Sequence, residues 1–179
     1  QERADIEQTA LTFLLEDELF CRENDCRPLY LEASLGMSPG EHGTPLDREE
    51  AIPVTLADGK TIHVRGRVDR IDQHGEEALK QYAVWDYKTG SSWGFEEAQP
   101  FQQGRKVQSF LYVAMVGHVI KQEIDPAAEV KYFGFFFPGA KAVGERISWR
   151  PKQLAQGREV LQNLCRLIID GAFLATNNA

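Results

Sequence analysis

The amino-acid sequence predicts an α/β fold with a mixed central β-sheet flanked by helices. Three observations support this: a helical segment at each end of the chain, short apolar strand segments between them, and a third helical segment that interrupts the strands. No internal repeat is visible, so we expect residues 1–179 to form a single domain. Because the sequence starts at Gln1 rather than Met, we expect a fragment of a longer polypeptide.

The N-terminal half starts with a predicted helix and continues with strands. Residues 3–22 place apolar side chains at helical spacing between acidic ones, which is typical of an amphipathic helix. Its apolar stripe consists of Ile6, Ala10, Leu11, Phe13, Leu14 and Leu19. The segments that follow are a short strand at 28–33, a loop at 35–50, and a hairpin with strands at 52–56 and 61–71 around a turn at 57–59.

The C-terminal half alternates strands with two further helices. The strongest helical pattern covers residues 106–121. Its stripe consists of Val107, Phe110, Leu111, Ala114 and Met115. Pro151 suits the first turn of a closing helix over residues 151–169. The remaining segments are a polar turn at 73–80, an apolar strand at 82–87, an aromatic-rich strand at 130–137 and its expected partner at 142–149.

The net charge of the chain is relevant to whether it binds nucleic acid. Lys and Arg number 20 against 27 Asp and Glu, a net charge of −7 that by itself argues against a nucleic-acid binder. The acidic excess, however, lies near the N-terminus and around residues 41–50, whereas residues 104–106 and 146–152 are locally basic. No stretch is apolar enough to span a membrane and none resembles a signal peptide, so we expect a cytoplasmic protein.

The three cysteines do not form a disulfide framework. Cys21 and Cys26 make a Cys-x4-Cys pair, but no second pair and no suitably spaced His accompanies them, which is weak support for zinc. We therefore expect Cys21, Cys26 and Cys165 to be reduced thiols. We expect the four histidines to be surface or structural residues.

The candidate catalytic and metal-binding residues lie in two strand segments. These are Gly66-Arg67-Val68-Asp69-Arg70-Ile71-Asp72 and Val84-Trp85-Asp86-Tyr87-Lys88-Thr89-Gly90. Residues two apart in a strand share a face, so Asp86 and Lys88 project together. Trp85 and Tyr87 then point to the opposite side. A carboxylate and an ammonium group at the end of an apolar strand are costly to bury unless they are paired or bind a metal. Beside Asp69, they would assemble two carboxylates and one lysine.

Phosphodiester hydrolysis needs such a set of groups. Oxygen ligands hold Mg²⁺ or Mn²⁺, as one or two ions, and leave coordination positions for water and a substrate phosphate. A bound metal lowers the pKa of a coordinated water and offsets charge that develops on the phosphate. Lys88 can orient the attacking water or stabilise the transition state, and we prefer these roles to that of a general base.

In the order and spacing of its motifs, the chain resembles the RecB-family nuclease domain of bacterial recombination helicase-nucleases, which is of the PD-(D/E)XK type. The matching segments are Gly66-x-x-Asp69, Asp86-Tyr87-Lys88-Thr89-Gly90, Gln108-x-x-Leu111-Tyr112 and Leu31-Glu32. The resemblance covers residues 28–175 and implies a restriction-endonuclease-like core. It also implies a Mg²⁺-dependent deoxyribonuclease of recombination or repair, which acts on DNA ends or single strands with a helicase domain or subunit as partner.

The same resemblance assigns the central residues. Asp69 and Asp86 would be metal ligands, and Lys88 would be the catalytic lysine. Asp72 is the rival of Asp69 as a ligand. Strand alternation puts these two carboxylates on opposite faces, and the Gly-x-x-Asp spacing favours Asp69.

Four further residues complete the predicted site. By the resemblance, Gln108 and Tyr112 would line the site and contact DNA or orient the lysine. The backbone carbonyl of Tyr87 would be an additional metal ligand. Glu32 would be an outer ligand.

The chain departs from the RecB family in two ways. Many relatives carry a His in the first helix, and residues 2–22 contain none. Many also bind an iron–sulfur cluster through one cysteine before the core and three after it. Gly171-Ala172-Phe173 resembles the segment that precedes those three cysteines, so we expect either a fragment of a cluster-binding protein or a member that lacks the cluster. We expect no cluster in this chain.

Several alternatives stay open at the level of sequence. The chain could be a free-standing exonuclease of the CRISPR-associated or phage type, or a catalytically silent DNA-binding or scaffolding module. Intact Asp69, Asp86 and Lys88 argue against the silent module. A structural protein whose ion pairs mimic the motif is a third alternative. Trp85 and Trp93 are expected in the core rather than as platforms on which bases stack.

Overall fold

The computed structural model describes residues 2–41, 43–139 and 141–172, so His42 and Phe173 lie outside the described residues. The helices are α1 (Glu2–Glu23), α2 (Gln108–Glu123) and α3 (Gly157–Ile169). The strands are β1 (Cys26–Leu35), β2 (Ile52–Thr55), β3 (Thr61–Val64), β4 (Gly66–His74), β5 (Gln81–Tyr87), β6 (Glu129–Phe137) and β7 (Glu145–Trp149). Within the described residues, no helix has both the length and the apolar character needed to cross a membrane.

The central sheet has five strands in the order β1-β4-β5-β6-β7. Strands β5 and β6 pair in parallel, and the other three neighbouring pairs are antiparallel. The parallel pair requires a crossover connection, which α2 provides between β5 and β6. The predicted α/β fold with a mixed sheet flanked by helices is therefore confirmed.

Helices cover both faces of this sheet. On one face, Tyr112 of α2 packs against Phe133 of β6, with ring centroids 6.0 Å apart. Phe133 stands beside Val84 of β5, and both are fully buried in the main core. On the other face, Phe20 of α1 contacts Trp85 edge to face at 5.3 Å. Asp86 and Trp85, which alternate along β5, are thus separated onto the α2 face and the α1 face, as predicted.

The predicted hairpin differs from the observed one. Its return strand, expected as one segment over 61–71, is broken between Val64 and Gly66. β3 pairs with β2 in a separate two-stranded sheet, whereas β4 pairs with β1 from Leu35↔Gly66 to Cys26↔His74. The long partner β1 draws this part of the chain into the central sheet, and sequence periodicity alone does not distinguish the two partners. The closing helix is also split, into a short 3-10 turn at Pro151–Leu154 and α3.

Two predicted core assignments are wrong. Ile6, Leu11 and Leu14 of the expected α1 stripe are exposed, and Thr12 is buried instead. The reason is that α1 contacts the sheet through a different stripe. Phe13 and Phe20 pack against aromatic rings of β5 and β6, and Asp17 binds Arg70. Trp93, expected in the core, is 90% exposed in the loop that joins β5 to α2.

Candidate active site

Asp69 and Asp86 lie at the point where β4 and β5 stop pairing. The last register pair of the ladder is Arg70↔Trp85, and the next antiparallel position sets Asp69 against Asp86. The backbone N–H of Tyr87 donates to Asp69 Oδ2 at 2.8 Å. A side-chain carboxylate thus accepts an amide hydrogen at the end of the ladder, which holds the two aspartates side by side.

The Asp86 carboxylate is buried, at 3% exposure, on the α2 face of the sheet. Its Oδ1 accepts a hydrogen bond of 2.7 Å from Gln108 Nε2, and its Oδ2 forms an ion pair with Lys88 Nζ. Burial raises the pKa of Asp86, and the negative charge of Asp69 raises it further, against the opposing effects of Lys88 and Gln108. The carboxylate is therefore a costly group to bury and is stabilised by specific partners.

Gln108 connects the acid to the lysine. It is the first residue of α2, where its side chain reaches over the end of β5. Its amide nitrogen donates to Asp86, and its Oε1 lies 3.5 Å from Lys88 Nζ. Lys88 Nζ also lies 5.1 Å from the centroid of the Phe135 ring. The structure thus brings Asp69, Asp86, Lys88 and Gln108 together, in agreement with their predicted proximity.

Tyr112, one helical turn after Gln108, lies at the rim of the same cluster. Its hydroxyl donates to the carbonyl oxygen of Arg67 at 2.8 Å, which ties α2 to the start of β4. Burial raises the pKa of Tyr112, and the carboxylates of Asp86, Asp69 and Glu32 raise it further. These carboxylates therefore act on one phenol from three adjacent strands.

Glu32 and Tyr87 occupy the flanks of the cluster. Glu32 is exposed in β1, between the pairs Leu31↔Arg70 and Ala33↔Val68, which sets it against Asp69. Its φ of 55° lies in the left-handed region that non-glycine residues rarely adopt. The Tyr87 side chain points to the α1 face, where it contacts Phe13 at 5.5 Å, so only its backbone faces the cluster.

The comparison with protein families agrees with this geometry. The family model of the PD-(D/E)XK nuclease superfamily matches residues 2–179. The chain belongs to this superfamily. Its mixed sheet flanked by helices is consistent with the restriction-endonuclease-like fold of PD-(D/E)XK proteins, which are nucleases and generally use divalent metal ions. A search of curated proteins gave no match.

The side chains of this PD-(D/E)XK site suit a hard divalent cation. Carboxylate oxygens are the ligands that Mg²⁺ and Mn²⁺ prefer. Among the described residues, Asp69 Oδ1 has no hydrogen-bond partner, and Asp86 Oδ2 contacts only the Lys88 ammonium group. Asp69 Oδ1 is thus available to a metal, and Asp86 Oδ2 would be shared between a metal and Lys88.

Asp72, the rival of Asp69, belongs to a different cluster on the α1 face of the PD-(D/E)XK sheet. It is buried, and its two oxygens accept hydrogen bonds of 2.5 and 2.8 Å from Arg70. Arg70 also donates to Asp17 at 2.7 Å. Strand alternation separates Asp72 from the candidate site, as the sequence predicts.

The structure also brings together Cys21, Cys26 and Asp72, whose ligand atoms lie within 4.8 Å of one another. The Cys-x4-Cys spacing, which spans the end of α1 and the start of β1, is the sequence signal for this cluster. Burial raises the pKa of both thiols, and Arg70 Nη2 donates to Cys21 Sγ at 3.4 Å. A guanidinium group beside protonated thiols disfavours a cation here.

Proposed function

We propose that this PD-(D/E)XK chain is a metal-dependent deoxyribonuclease that acts on DNA ends or single strands. Membership of the superfamily supports a nuclease and hydrolase. The observation that carries the metal-dependent part of the proposal is the buried Asp86 carboxylate, which lies against Asp69 and is paired with Lys88 and Gln108. The preference for DNA ends or single strands rests on the resemblance to the RecB-family nuclease domain. A purely structural ion pair would not require a second carboxylate at the same point.

In this proposal, Asp69 and Asp86 would hold Mg²⁺ or Mn²⁺, as one or two ions, and the Tyr87 carbonyl and Glu32 would be further ligands. A divalent ion bound there would lower the pKa of a coordinated water and offset charge on the phosphate. Lys88 places its ammonium group beside the carboxylates, where a phosphate oxygen gains negative charge. Gln108 positions Lys88 through its amide oxygen.

We further propose that the chain is the nuclease part of a RecB-type helicase-nuclease of recombination or repair. Supporting this, the outward face of α1 exposes Leu11, Leu14 and Leu15. A row of apolar side chains on a surface is typical of a contact with another domain or subunit. A free-standing exonuclease and a silent DNA-binding module remain the alternatives.

The first experiment measures metal binding and cleavage in one buffer. Mn²⁺ is titrated by calorimetry into wild type, Asp86→Ala and the surface control Glu77→Ala, and each protein is assayed on labelled linear DNA. We expect wild type and Glu77→Ala to bind and cleave, and Asp86→Ala to lose at least about 100-fold in cleavage, more than loss of a supporting residue costs. Failure of wild type to bind Mn²⁺ would contradict the proposal and favour the silent module.

The mode of attack is tested with closed circles. An enzyme that requires DNA ends leaves circular single-stranded and circular duplex DNA intact while it degrades the linear forms. Cleavage of circular single strands would instead indicate endonuclease activity on single strands. Cleavage of closed duplex circles would contradict the proposed substrate class.

A further inference from the structure

Trp93 is presented to solvent in a way that the proposed chemistry does not explain. Its side chain is 90% exposed, whereas Trp85 and Trp149 are each 2% exposed. Tryptophan is among the largest apolar side chains, and it is enriched at binding interfaces. Trp93 is therefore a candidate ligand-binding residue.

The loop around Trp93 is held in place on both sides. Ser92 Oγ donates to a carboxylate oxygen of Glu145 in β7. Phe95 packs against Phe135 of the core, with ring centroids 4.9 Å apart. Gly94, with φ of +82°, makes the turn between the exposed indole and the anchored Phe95. Trp93 is thus exposed at the tip of an anchored turn.

This turn lies beside the candidate active site. Phe135, which Phe95 contacts, is also the ring over which Lys88 Nζ lies at 5.1 Å. Lys106 Nζ lies 3.0 Å from the Phe95 centroid, and the positive charge of Lys88 contributes to lowering the pKa of Lys106, after burial. Trp93 follows Lys88 by five residues, so their Cα atoms are at most roughly 18 Å apart.

The groove beside Trp93 has the chemistry of a nucleic-acid strand site. Its volume is about 560 Å³, and its lining includes Trp93, Gln102, Gln103, Arg105 and one acidic residue, Glu96. Indole rings stack on bases of any sequence, glutamine amides can pair with base edges, and an arginine can bind phosphate. A base within duplex DNA has no free face on which an indole can stack.

We propose that Trp93 is a stacking platform for an unpaired DNA base next to the active site. This inference rests on the proposed deoxyribonuclease function and deepens it, because it commits the enzyme to single-stranded DNA or frayed ends. The groove then guides the strand past Lys88, with Arg105 and Lys106 supplying positive charge along its path. Trp93 contributes to substrate binding and not to the chemical step.

The test measures binding without cleavage, so that it does not depend on nuclease activity. A dT oligomer of about 12 nucleotides is titrated in the presence of a chelator into wild type, Trp93→Ala, Trp93→Phe and the exposed control Leu79→Ala. Binding is followed by tryptophan emission and by anisotropy of a labelled oligomer. Because Trp85 and Trp149 are buried, quenching of the emission reports Trp93.

We expect dT binding to quench emission in wild type, and affinity to fall at least about fivefold in Trp93→Ala, the lower bound for loss of one base stack. Trp93→Phe and Leu79→Ala should remain close to wild type. An oligomer with abasic sites keeps its phosphates but should not quench. Equal affinity of wild type and Trp93→Ala would overturn the inference, as would concentration-dependent burial of Trp93 in a dimer without DNA. Intact DNA binding with no cleavage in Mn²⁺ would count against the proposed function alone.

Discussion

At the scale of single residues, the Gln108 amide distinguishes the candidate site from an ordinary ion pair. One side chain donates to Asp86 through nitrogen and faces Lys88 through oxygen, so it needs both a donor and an acceptor. Neither Glu nor Lys could supply the pair of contacts. The amide therefore positions the acid and the lysine relative to each other, and the charge of Lys88 is available to a phosphate.

Replacement of Lys88 separates metal binding from catalysis. In Lys88→Ala, we expect cleavage to fall by about 10²–10³-fold, because a cation that stabilises the transition state is lost. Mn²⁺ affinity should be equal to wild type or higher, because Lys88 no longer competes for Asp86 Oδ2. Calorimetry and a cleavage assay measure both effects, with the exposed Lys60→Ala as the control. Loss of Mn²⁺ binding together with cleavage would contradict this division of roles.

At the scale of elements, the sheet depends on close packing between β5 and β6. Gly134 of β6 lies opposite Trp85, and a Cβ added there would be 2.3 Å from Trp85 Cζ3. The indole fills the space that a side chain would need. In contrast, a Cβ at Gly117 within α2 would meet Val130 at an ordinary 3.8 Å. Packing therefore requires a glycine at position 134 but not at position 117.

Alanine substitutions at these two glycines should have opposite effects. We expect Gly134→Ala to lower the free energy of unfolding by about 1–3 kcal/mol, the usual cost of overpacking. Gly117→Ala should raise it by about 0.5–1 kcal/mol, because alanine has the higher helix propensity. Urea unfolding of both variants and wild type measures the difference. Two changes of the same sign would show that the packing around Gly134 relaxes freely or that α2 does not tolerate the added methyl group.

At the scale of the whole molecule, a polar network under α1 joins the first helix to the sheet. Asp17 of α1 accepts hydrogen bonds from Arg70 at 2.7 Å and from Arg146 at 3.1 Å. The Arg146 guanidinium lies 3.8 Å from the Phe136 centroid. Further along β4, the buried His74 imidazole and the Tyr132 hydroxyl lie 2.8 Å apart. Buried charges of this kind make stability depend on pH.

His74 should make the protein less stable in mild acid. Burial, assisted by the positive charge of Lys131, lowers the pKa of His74 from its ordinary value of 6.5. Below that value the unfolded chain binds a proton that the folded protein does not, so the free energy of unfolding falls as pH falls. We expect His74→Gln, which keeps an acceptor for Tyr132, to lose less stability than wild type between about pH 7.5 and about pH 5.5, by up to about 1 kcal/mol.

Urea unfolding at the two pH values measures this difference, and the exposed His63→Gln is the matched control. His63→Gln should follow wild type, because the exposed His63 lies outside the buried cluster around His74. If His74→Gln and wild type lost stability equally between the two pH values, His74 would not be the cause of the loss. Other buried groups would then account for it.

Features of this protein that depend on local periodicity can be predicted from the amino-acid sequence alone. The spacing of two residues places Asp86 and Lys88 on one strand face and separates Asp69 from Asp72, because side chains alternate along any extended strand. The same periodicities locate α2, β5, β6 and β7 to within a few residues. Motif order along the chain indicates the PD-(D/E)XK superfamily, to which the chain belongs.

Which surfaces contact each other depends on packing between distant parts of the chain. The break between Val64 and Gly66 depends on a distant partner strand, and the exposure of Ile6 and Leu11 depends on which residues of α1 contact the sheet. The contact of Gln108 with Asp86 and the outward position of Trp93 both depend on how the loop from β5 to α2 closes over the sheet. Periodicity tells which side chains share a face, but nonlocal packing decides what covers that face.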